Sequence, residues 1–317
     1  MKSFIFRFGL FCALFVLGLT AFSTFLKVGQ KHYDSNADLK LRLLLDVKTI
    51  DPEIIVFGSS VAEGGINPLI ISNITEKKSY NAALSGRRII DWNSIAFSFL
   101  DYTKNNKVIV LDIFPNVFNK TDNLYQPHEF YPYLNNKFVK EALSAISPTY
   151  YKIATLPFYY LTQLNSKIVL NSIIGIYDLL LNSQPKMSED YKGYSNINSN
   201  YEKGNTSGLI QTEISQTSIK LYEKLILQAA NKNIEVLFVG MPVYHKGKPH
   251  YNQLDSIYNW GTIWSKEYEN VTYLNFLNDS SIIYQQEYFA NNTHLNKNGA
   301  SFISSKIGNY LNKNKYE

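Results

Sequence analysis

Short apolar runs rich in β-branched residues recur along the chain and predict buried strands. Between them lie segments whose apolar residues repeat every three to four positions, the periodicity of helices packed on one side. The predicted strands are 53–58, 107–114, 234–240 and 271–276. The predicted helices are 38–48, 88–104, 212–231 and 300–311. Buried strands that alternate with helices indicate parallel β-α-β units, so the pattern predicts an α/β fold with a helix-covered parallel sheet.

A different pattern occupies the N-terminus, where residues 8–26 are uncharged and strongly apolar. This stretch is long enough to cross a hydrocarbon core of about 30 Å. Lys2 and Arg7 precede it, so the positive-inside rule predicts a cytoplasmic N-terminus. A cleaved signal peptide is the alternative, but its apolar region is usually only about 7–15 residues long, and residues 21–25 make a poor cleavage site. We therefore predict a retained transmembrane helix, with the following domain outside the cytoplasm, in the periplasm or the extracellular space.

These patterns divide the chain into a membrane anchor at 1–27, a juxtamembrane connector at 28–52 and an α/β domain at 53–317. Within that domain, residues from about 118 to 208 break the alternation of strands and helices. They are rich in Tyr, Asn and Pro, with helical patches at 138–146 and 168–181 and a polar stretch at 188–207. We interpret this interval as a mostly helical insertion. Such an insertion commonly forms a lid or a substrate wall, and a plain structural extension is the alternative.

The net charge, the single cysteine and the few histidines argue against some classes of binding partner and ligand. The net charge of +5 is scattered without a basic stripe, which argues against a nucleic-acid partner. Cys12 is the only cysteine and lies in the apolar stretch, so the exported part has no thiol for a disulfide. His245 and His250 lack a neighbouring cysteine or carboxylate cluster, so we predict neither a metal site nor a cofactor.

Two polar segments carry the candidate chemistry. Ser60 ends the Gly-Ser-Ser segment after the first strand, and reacting groups of open α/β sheets collect at the carboxyl ends of strands. A serine hydroxyl becomes an effective nucleophile only with a base and with donors for the oxyanion. His294, in the loop before the last helix, is the candidate base. The alternatives are a turn or helix cap for Ser60 and a cap or surface residue for His294.

Three blocks together resemble the SGNH (GDSL-like) hydrolase superfamily: the Gly-x-Ser end of the first strand, residues 80–86 (YNAALSG), and His294-Leu-Asn-x-x-Gly-Ala. The similarity is to its membrane-anchored branch, related to bacterial proteins of envelope polysaccharide O-acylation and D-alanine transfer. It covers about 53–311, interrupted by the insertion. The resemblance implies a flavodoxin-like three-layer α/β/α fold and a serine esterase or O-acyltransferase. The implied substrate is an acyl ester of an envelope polysaccharide or related glycan, and the implied partner is a membrane-bound acyltransferase.

By this resemblance Ser60 is the nucleophile, and its backbone N–H forms part of the oxyanion hole together with that of Gly86. Glycine suits that position, because a residue without Cβ lets a backbone amide approach the reacting carbonyl closely. Asn116 matches the family's asparagine donor, with a turn asparagine after Pro115 as the alternative.

Asn291 departs from the family pattern, which has aspartate three residues before the histidine. That aspartate would hold the imidazole tautomer and stabilise the imidazolium. Two arrangements would preserve activity. In the first, the Asn291 carbonyl oxygen or a main-chain carbonyl accepts the hydrogen bond from the histidine N–H, which gives a Ser–His dyad. In the second, the carboxylate of Asp279 or Glu287 takes the place of the missing aspartate in the folded chain. The remaining alternative is a catalytically impaired binding or accessory protein of an envelope acylation or export system.

Overall fold

A computed structural model of the chain describes residues 1–33, 35–121, 124–156, 158–181, 192–202 and 209–314. It contains two compact units. The helical unit comprises Met1–Val47 and Gln126–Met187, and the sheet unit comprises Lys48–Tyr125 and Ser188–Glu317.

The sheet unit is built on five parallel strands in the order β2-β1-β3-β4-β5. The strands are β1 Ile54–Phe57, β2 Ser79–Asn81, β3 Val108–Ile113, β4 Glu235–Gly240 and β5 Val271–Asn275. Four of them lie in the predicted apolar runs. The strand β2 has three residues, which is too short for a recognisable pattern, and it extends the sheet beyond β1.

Helices cover this sheet, as the fold class predicted from the sequence requires. In the sheet unit they are α3 Ser60–Gly65, α4 Pro68–Thr75, α5 Ile89–Tyr102, α6 Pro115–Phe118, α10 Gln216–Ala230, α11 Leu254–Glu267, α12 Ser280–Ile283 and α13 Lys297–Asn314. One helical layer contains α5, α10 and α11, whose aromatic rings meet those of the strands in a buried cluster of Phe57, Trp92, Tyr222, Phe238 and Trp264. The other contains α13, which packs against α3 and α4. The α/β prediction is therefore confirmed.

The helical unit contains α1 Lys2–His32, α2 Asn36–Leu41, α7 Lys137–Ile146, α8 Pro148–Thr155 and α9 Ser166–Leu180. A π-helical turn, Arg42–Val47, continues α2, so the predicted connector helix is present in an altered form. Short 3-10 segments occupy Pro127–Tyr133 and Tyr159–Gln163.

Among the described residues, α1 is the one helix long and apolar enough to cross a membrane. Its length and composition fit an anchor and a signal sequence alike. Of the polar stretch predicted at 188–207, residues 192–202 belong to the sheet unit, and the remainder lies outside the described residues.

Candidate active site

The carboxyl edge of the sheet brings the two candidate reacting residues together. Ser60 Oγ lies 2.8 Å from His294 Nε2, although 234 positions separate them along the chain. Ser60 is the first residue of α3, immediately beyond β1, and His294 lies just before α13. The two loops therefore converge at hydrogen-bond distance, the geometry that general-base activation of a serine requires.

A buried carboxylate holds the turn that presents Ser60. Asp112, on β3, accepts hydrogen bonds from the Ser59 hydroxyl at 2.6 Å and from the Ser59 backbone N–H at 3.2 Å. Asp112 is fully buried, and desolvation raises its pKa to about 6 although the Ser59 hydrogen bonds oppose the shift. The turn is thus tied to the neighbouring strand one residue before the candidate nucleophile.

The histidine loop is closed by its own backbone and side chains. The Ala290 N–H donates to the His294 carbonyl at 2.8 Å, which makes the loop tight. The Asn296 side chain then accepts the N–H groups of Asn298 and Gly299 and caps the first turn of α13. The cap fixes where the helix begins, and so it fixes the loop from which His294 projects.

Asn291 occupies the side of the imidazole away from Ser60. Its Oδ1 lies 3.2 Å from His294 Nδ1 and also accepts the backbone N–H groups of Thr293 at 3.0 Å and His294 at 2.9 Å. Two backbone donors therefore point the amide oxygen, not the NH₂ group, into this position. An oxygen there requires the proton on Nδ1 and leaves Nε2 free to accept from Ser60.

Neither of the two carboxylates considered as substitutes has a hydrogen bond to His294 among the described contacts. Asp279 caps α12 through the Ser281 N–H and pairs with Lys306 at 3.2 Å. Glu287 is exposed in a short 3-10 segment. Of the two arrangements that the sequence left open, the geometry is that of the Asn291 carbonyl oxygen, with the Thr293 hydroxyl a further neighbour of Nδ1 at 3.2 Å.

Burial sets the basicity of the imidazole. Desolvation lowers the pKa of His294 from its ordinary value of 6.5, because the charged imidazolium is disfavoured away from water. A lowered pKa keeps the ring neutral, and so able to accept a proton, at neutral pH.

The loop after β2 lies beside the helix that begins at Ser60. Gly86 in this loop has a positive φ of 74°, a backbone conformation that favours glycine. Its neighbour Ser85 donates its backbone N–H to the buried Glu63 of α3 at 2.9 Å, and its hydroxyl donates to the same carboxylate. The loop that carries Gly86 is therefore tied to the helix that begins at Ser60.

Asn81, at the end of β2, ties the same helix to the sheet. It is fully buried, and its amide nitrogen donates to the carbonyls of Ala62 at 2.9 Å and Ile66 at 2.7 Å. Its side-chain oxygen accepts the Ala83 N–H at 3.0 Å. Asn81 thus holds α3 and the β2 loop in a common position.

Asn116 has a different location. It lies near the start of α6 with an exposed side chain, and the described residues that line the cleft around Ser60 do not include it. Its assignment as an oxyanion donor stays a prediction.

An open cleft of about 610 Å³ surrounds the Ser60–His294 pair. Its lining is mixed, with polar side chains from four parts of the chain: Ser60, Ser85, Ser195, Ser199, Glu202, Asn291 and His294, beside Gly64, Ile197 and Ala290. Four of these residues belong to the 192–202 segment, which was predicted only as part of a polar stretch.

Backbone hydrogen bonds attach the 192–202 segment to both halves of the site. On the side of Ser60, the Asn81 N–H donates to the Lys192 carbonyl and the Ser195 N–H donates to the Glu63 carbonyl. On the histidine side, Glu202 N–H donates to the Ala290 carbonyl at 2.8 Å. The segment therefore forms a wall of the cleft that bridges the two reacting loops.

Sequence reasoning missed the supporting residues Asp112, Asn81 and Glu63. Asp112 had a signal, because a carboxylate within an otherwise apolar buried strand needs a partner. Asn81 lies in the block at 80–86 that carries the resemblance, but neither its structural role nor that of Glu63 had a signal, because their partners come from loops that meet only in the folded chain.

His245 and His250, which the sequence analysis rejected as metal ligands, are not among the residues that line this cleft. The ring of His245 lies between those of Tyr244 and Tyr284. Among the described residues there is no group of three or more His, Cys, Asp or Glu side chains that could hold a metal ion.

This chain has only distant similarity to known proteins. No protein-family model matches the chain, and no curated protein matches it. A candidate lipolytic protein of the G-D-S-L family from Desulfitobacterium hafniense is similar at 11% identity and a TM-score of 0.42, over 81% of this chain and 98% of that one. A candidate platelet activating factor from Streptococcus pneumoniae is similar at 15% identity and a TM-score of 0.42, over 88% and 92%. Matches at this level carry no information about activity.

The fold and the site define an α/β protein whose candidate reacting residues lie at the carboxyl edge of a parallel sheet. Ser60 follows β1, the glycine loop follows β2, and His294 precedes the last helix, which is the order that the resemblance of the three sequence blocks implies.

Proposed function

We propose that this chain is a serine esterase or O-acyltransferase that acts on an acyl ester of a cell-envelope polysaccharide or related glycan. The observation that carries the proposal is the 2.8 Å contact between Ser60 Oγ and His294 Nε2, with Nδ1 facing the Asn291 carbonyl oxygen. A serine hydroxyl and a correctly oriented neutral imidazole form a working dyad.

The first half-reaction transfers the acyl group to the protein. His294 Nε2 takes the Ser60 proton as Oγ attacks the ester carbonyl, and the resulting oxyanion accepts hydrogen bonds from the Ser60 and Gly86 N–H groups. The tetrahedral intermediate collapses when the carbon–oxygen bond to the leaving alcohol breaks. His294 returns the proton to that alcohol, which leaves an acyl-Ser60 ester.

The second half-reaction decides between hydrolysis and transfer. Water or a glycan hydroxyl gives its proton to His294 and attacks the acyl-Ser60 carbonyl, and the proton then returns to Ser60 Oγ as the product ester or acid leaves. The open cleft leaves room for an acceptor larger than water. Its serines and Glu202 offer donors and acceptors that suit a hydroxyl-rich partner.

Anchoring by α1 completes the proposal. A retained anchor with the sheet unit outside the cytoplasm would keep the cleft near the membrane surface, where a membrane-bound acyltransferase partner could supply the acyl group. The lysine and arginine before the apolar stretch support this orientation.

A binding or accessory protein is the second candidate, favoured by Asn291 at the usual aspartate position. An amide cannot offset the positive charge of the imidazolium as a carboxylate does, so the charged form of His294 that arises during the reaction is less stabilised. In this candidate the cleft binds an acylated glycan without turnover.

The deciding experiment uses the full chain in detergent micelles with p-nitrophenyl acetate, followed by labelling with a fluorophosphonate and peptide mapping. We expect hydrolysis above background and a single labelled residue, Ser60, since only an activated serine reacts. Ser60→Ala and His294→Gln should each reduce both signals by at least about 10²-fold.

Matched controls are Ser301→Ala on α13 and His245→Gln beside the tyrosine rings, which should leave both signals unchanged. Equal hydrolysis by the wild type and Ser60→Ala, together with no label on Ser60, would contradict the esterase or acyltransferase hypothesis. The binding or accessory protein would then be the remaining candidate.

A further inference from the structure

The helix α9 has an apolar surface that its own unit does not cover. Four large side chains at helical spacing are exposed: Leu170 at 57%, Ile173 at 54%, Tyr177 at 62% and Leu180 at 76%. The charged and amide residues Lys167, Asn171 and Asp178 fall within an arc of about 40° at 3.6 residues per turn. The rest of the circumference is apolar or small. A helix that is apolar almost all round is normally enclosed by protein or by lipid.

The covered side of α9 packs against α1. Its buried residues Ser172 and Gly175 contact the end of α1 at Gly29. A Cβ added to Gly29 would overlap the Ser172 carbonyl oxygen, and one added to Gly175 would overlap the Gly29 carbonyl oxygen. The two backbones are therefore in direct contact through small residues, the manner in which helices associate within membranes.

This contact lies where the apolar part of α1 ends. The residues of α1 that are buried in the unit are Ser23, Leu26, Gly29 and Gln30, whereas the large apolar side chains from Phe4 to Leu17 and that of Phe22 are exposed. Lys27 and Lys31 follow within the same turns. If α1 spans the bilayer, α9 lies at the level of the boundary between hydrocarbon and headgroups.

Lysine–tyrosine pairs occur in the same unit. Lys27 lies over the ring of Tyr160 at 5.3 Å and Lys31 over the ring of Tyr133 at 5.5 Å. Two more pairs come from the segments that precede α9, Lys140 with Tyr151 and Lys152 with Tyr159. Tyr133 and Tyr160 are buried, so it is the lysines with the more exposed Tyr151 and Tyr159 that match the residues enriched at membrane interfaces, where lysine favours anionic headgroups.

We propose that α9 is a second membrane-contacting element, a helix whose Leu170–Ile173–Tyr177–Leu180 face lies in the outer boundary of the bilayer beside α1. At about 1.5 Å per residue its 15 residues are too short for a hydrocarbon core of about 30 Å, so it lies in the interface and does not cross. The occupant of the exposed face is lipid. This inference rests on the proposed anchoring by α1 and is independent of the proposed catalysis.

The test measures lipid exposure at single positions of the full chain in nanodiscs of phosphatidylethanolamine and phosphatidylglycerol. Cys12→Ser removes the native thiol, and nitroxides are attached at Ile173→Cys and, in a second variant, Tyr177→Cys. Collision rates with oxygen, which partitions into lipid, are compared with those of a water-soluble nickel chelate. Leu14→Cys on α1 is the lipid reference. Leu227→Cys on α10, at 52% exposure, is the matched control for an exposed leucine in water.

We expect both α9 labels to give an oxygen-to-nickel ratio clearly above that of Leu227 and below that of Leu14, because an interfacial helix is buried only about 5–10 Å into the boundary between headgroups and acyl chains. A lipid-like Leu14 with water-like α9 labels would overturn this inference and leave the anchor. A water-like Leu14 would overturn both. Spin–spin broadening at Ile173, or protection of that label from both reagents, would show that a second copy of the chain covers this face. That result would also overturn the inference of lipid contact. None of these results bears on the fluorophosphonate labelling of Ser60.

Discussion

Asn291 sets the tautomer of His294 and therefore affects how well His294 can act as a base towards Ser60. Its amide oxygen accepts the backbone N–H groups of Thr293 and His294 as well as facing His294 Nδ1. A flipped amide would lose both backbone bonds, at about 1 kcal/mol each or more. The neutral imidazole is therefore held in the tautomer that leaves Nε2 as the base. What the amide lacks is the negative charge that would stabilise the imidazolium.

Replacing Asn291 by aspartate tests this reading. A hydrogen bond to a charged group is worth about 1.4 kcal/mol more than a neutral one, so kcat/KM should rise about tenfold. In the wild type, burial lowers the His294 pKa, and activity should fall with decreasing pH at a midpoint below 6.5. In Asn291→Asp the carboxylate raises that pKa, so the midpoint should move upwards. The measurement is kcat/KM against pH for p-nitrophenyl acetate hydrolysis.

Asn298→Asp, an exposed change at the start of α13, is the matched control and should leave the midpoint in place. An unchanged rate and midpoint in Asn291→Asp would mean that residue 291 does not contact the imidazole during turnover.

The 192–202 segment is an element without regular secondary structure that nevertheless has a defined path. It is held by backbone hydrogen bonds to Asn81, Glu63 and Ala290, and the Tyr201 hydroxyl donates to the buried Asn292 at 2.6 Å. Gly193 allows the path, because its φ is +82° and its backbone lies directly against the Asn81 carbonyl oxygen. The cleft wall therefore depends on one glycine.

Gly193→Ala should displace this wall. A positive φ costs about 1–2 kcal/mol for a residue with Cβ, and the added Cβ would overlap the Asn81 carbonyl oxygen. We expect faster hydrogen exchange at the Ser195 and Glu202 amides, and a KM that rises more than kcat falls. Gly18→Ala, whose Cβ would meet nothing within 4 Å, is the control. Unchanged exchange at Ser195 would contradict the proposed attachment.

At the scale of the whole molecule, the question is whether α1 stays with the chain. The helix continues without a break from its exposed apolar part into the packed residues Ser23, Leu26 and Gly29. Cleavage near residues 21–25 would cut within the last part of this helix, where Ser23 is already buried. A continuous, packed helix favours retention of the anchor.

The corresponding prediction is that the mature protein keeps residues 8–26 and remains in membranes washed with alkaline carbonate, because the exposed phenylalanines and leucines of α1 would otherwise face water. Mass spectrometry of the extracted protein should recover the peptide that contains Cys12. A chain in which a cleavable signal peptide replaces residues 1–21 should leave the membrane more readily. A soluble wild-type protein that begins after residue 21 would make α1 a signal sequence.

Much of the sheet unit could be predicted because its strands and long helices are encoded locally. Four apolar runs mark β1, β3, β4 and β5, and the spacing of apolar residues marks α5, α10 and α13. The three residues of β2 and the 192–202 segment have no such periodicity. They take their positions from hydrogen bonds to distant backbone, which no local pattern records.

The sequence by itself determined the α/β class, the apolar N-terminal helix and the two residues worth testing, because burial periodicity and residue type act over a few positions. Only the tertiary structure decided that Ser60 and His294 meet, that Asn291 and not Asp279 or Glu287 faces the imidazole, and that Asp112 holds the turn. The physical reason is that parallel strands gather their carboxyl ends at one edge. Which side chains meet there depends on the register of strands and loops far apart in the chain.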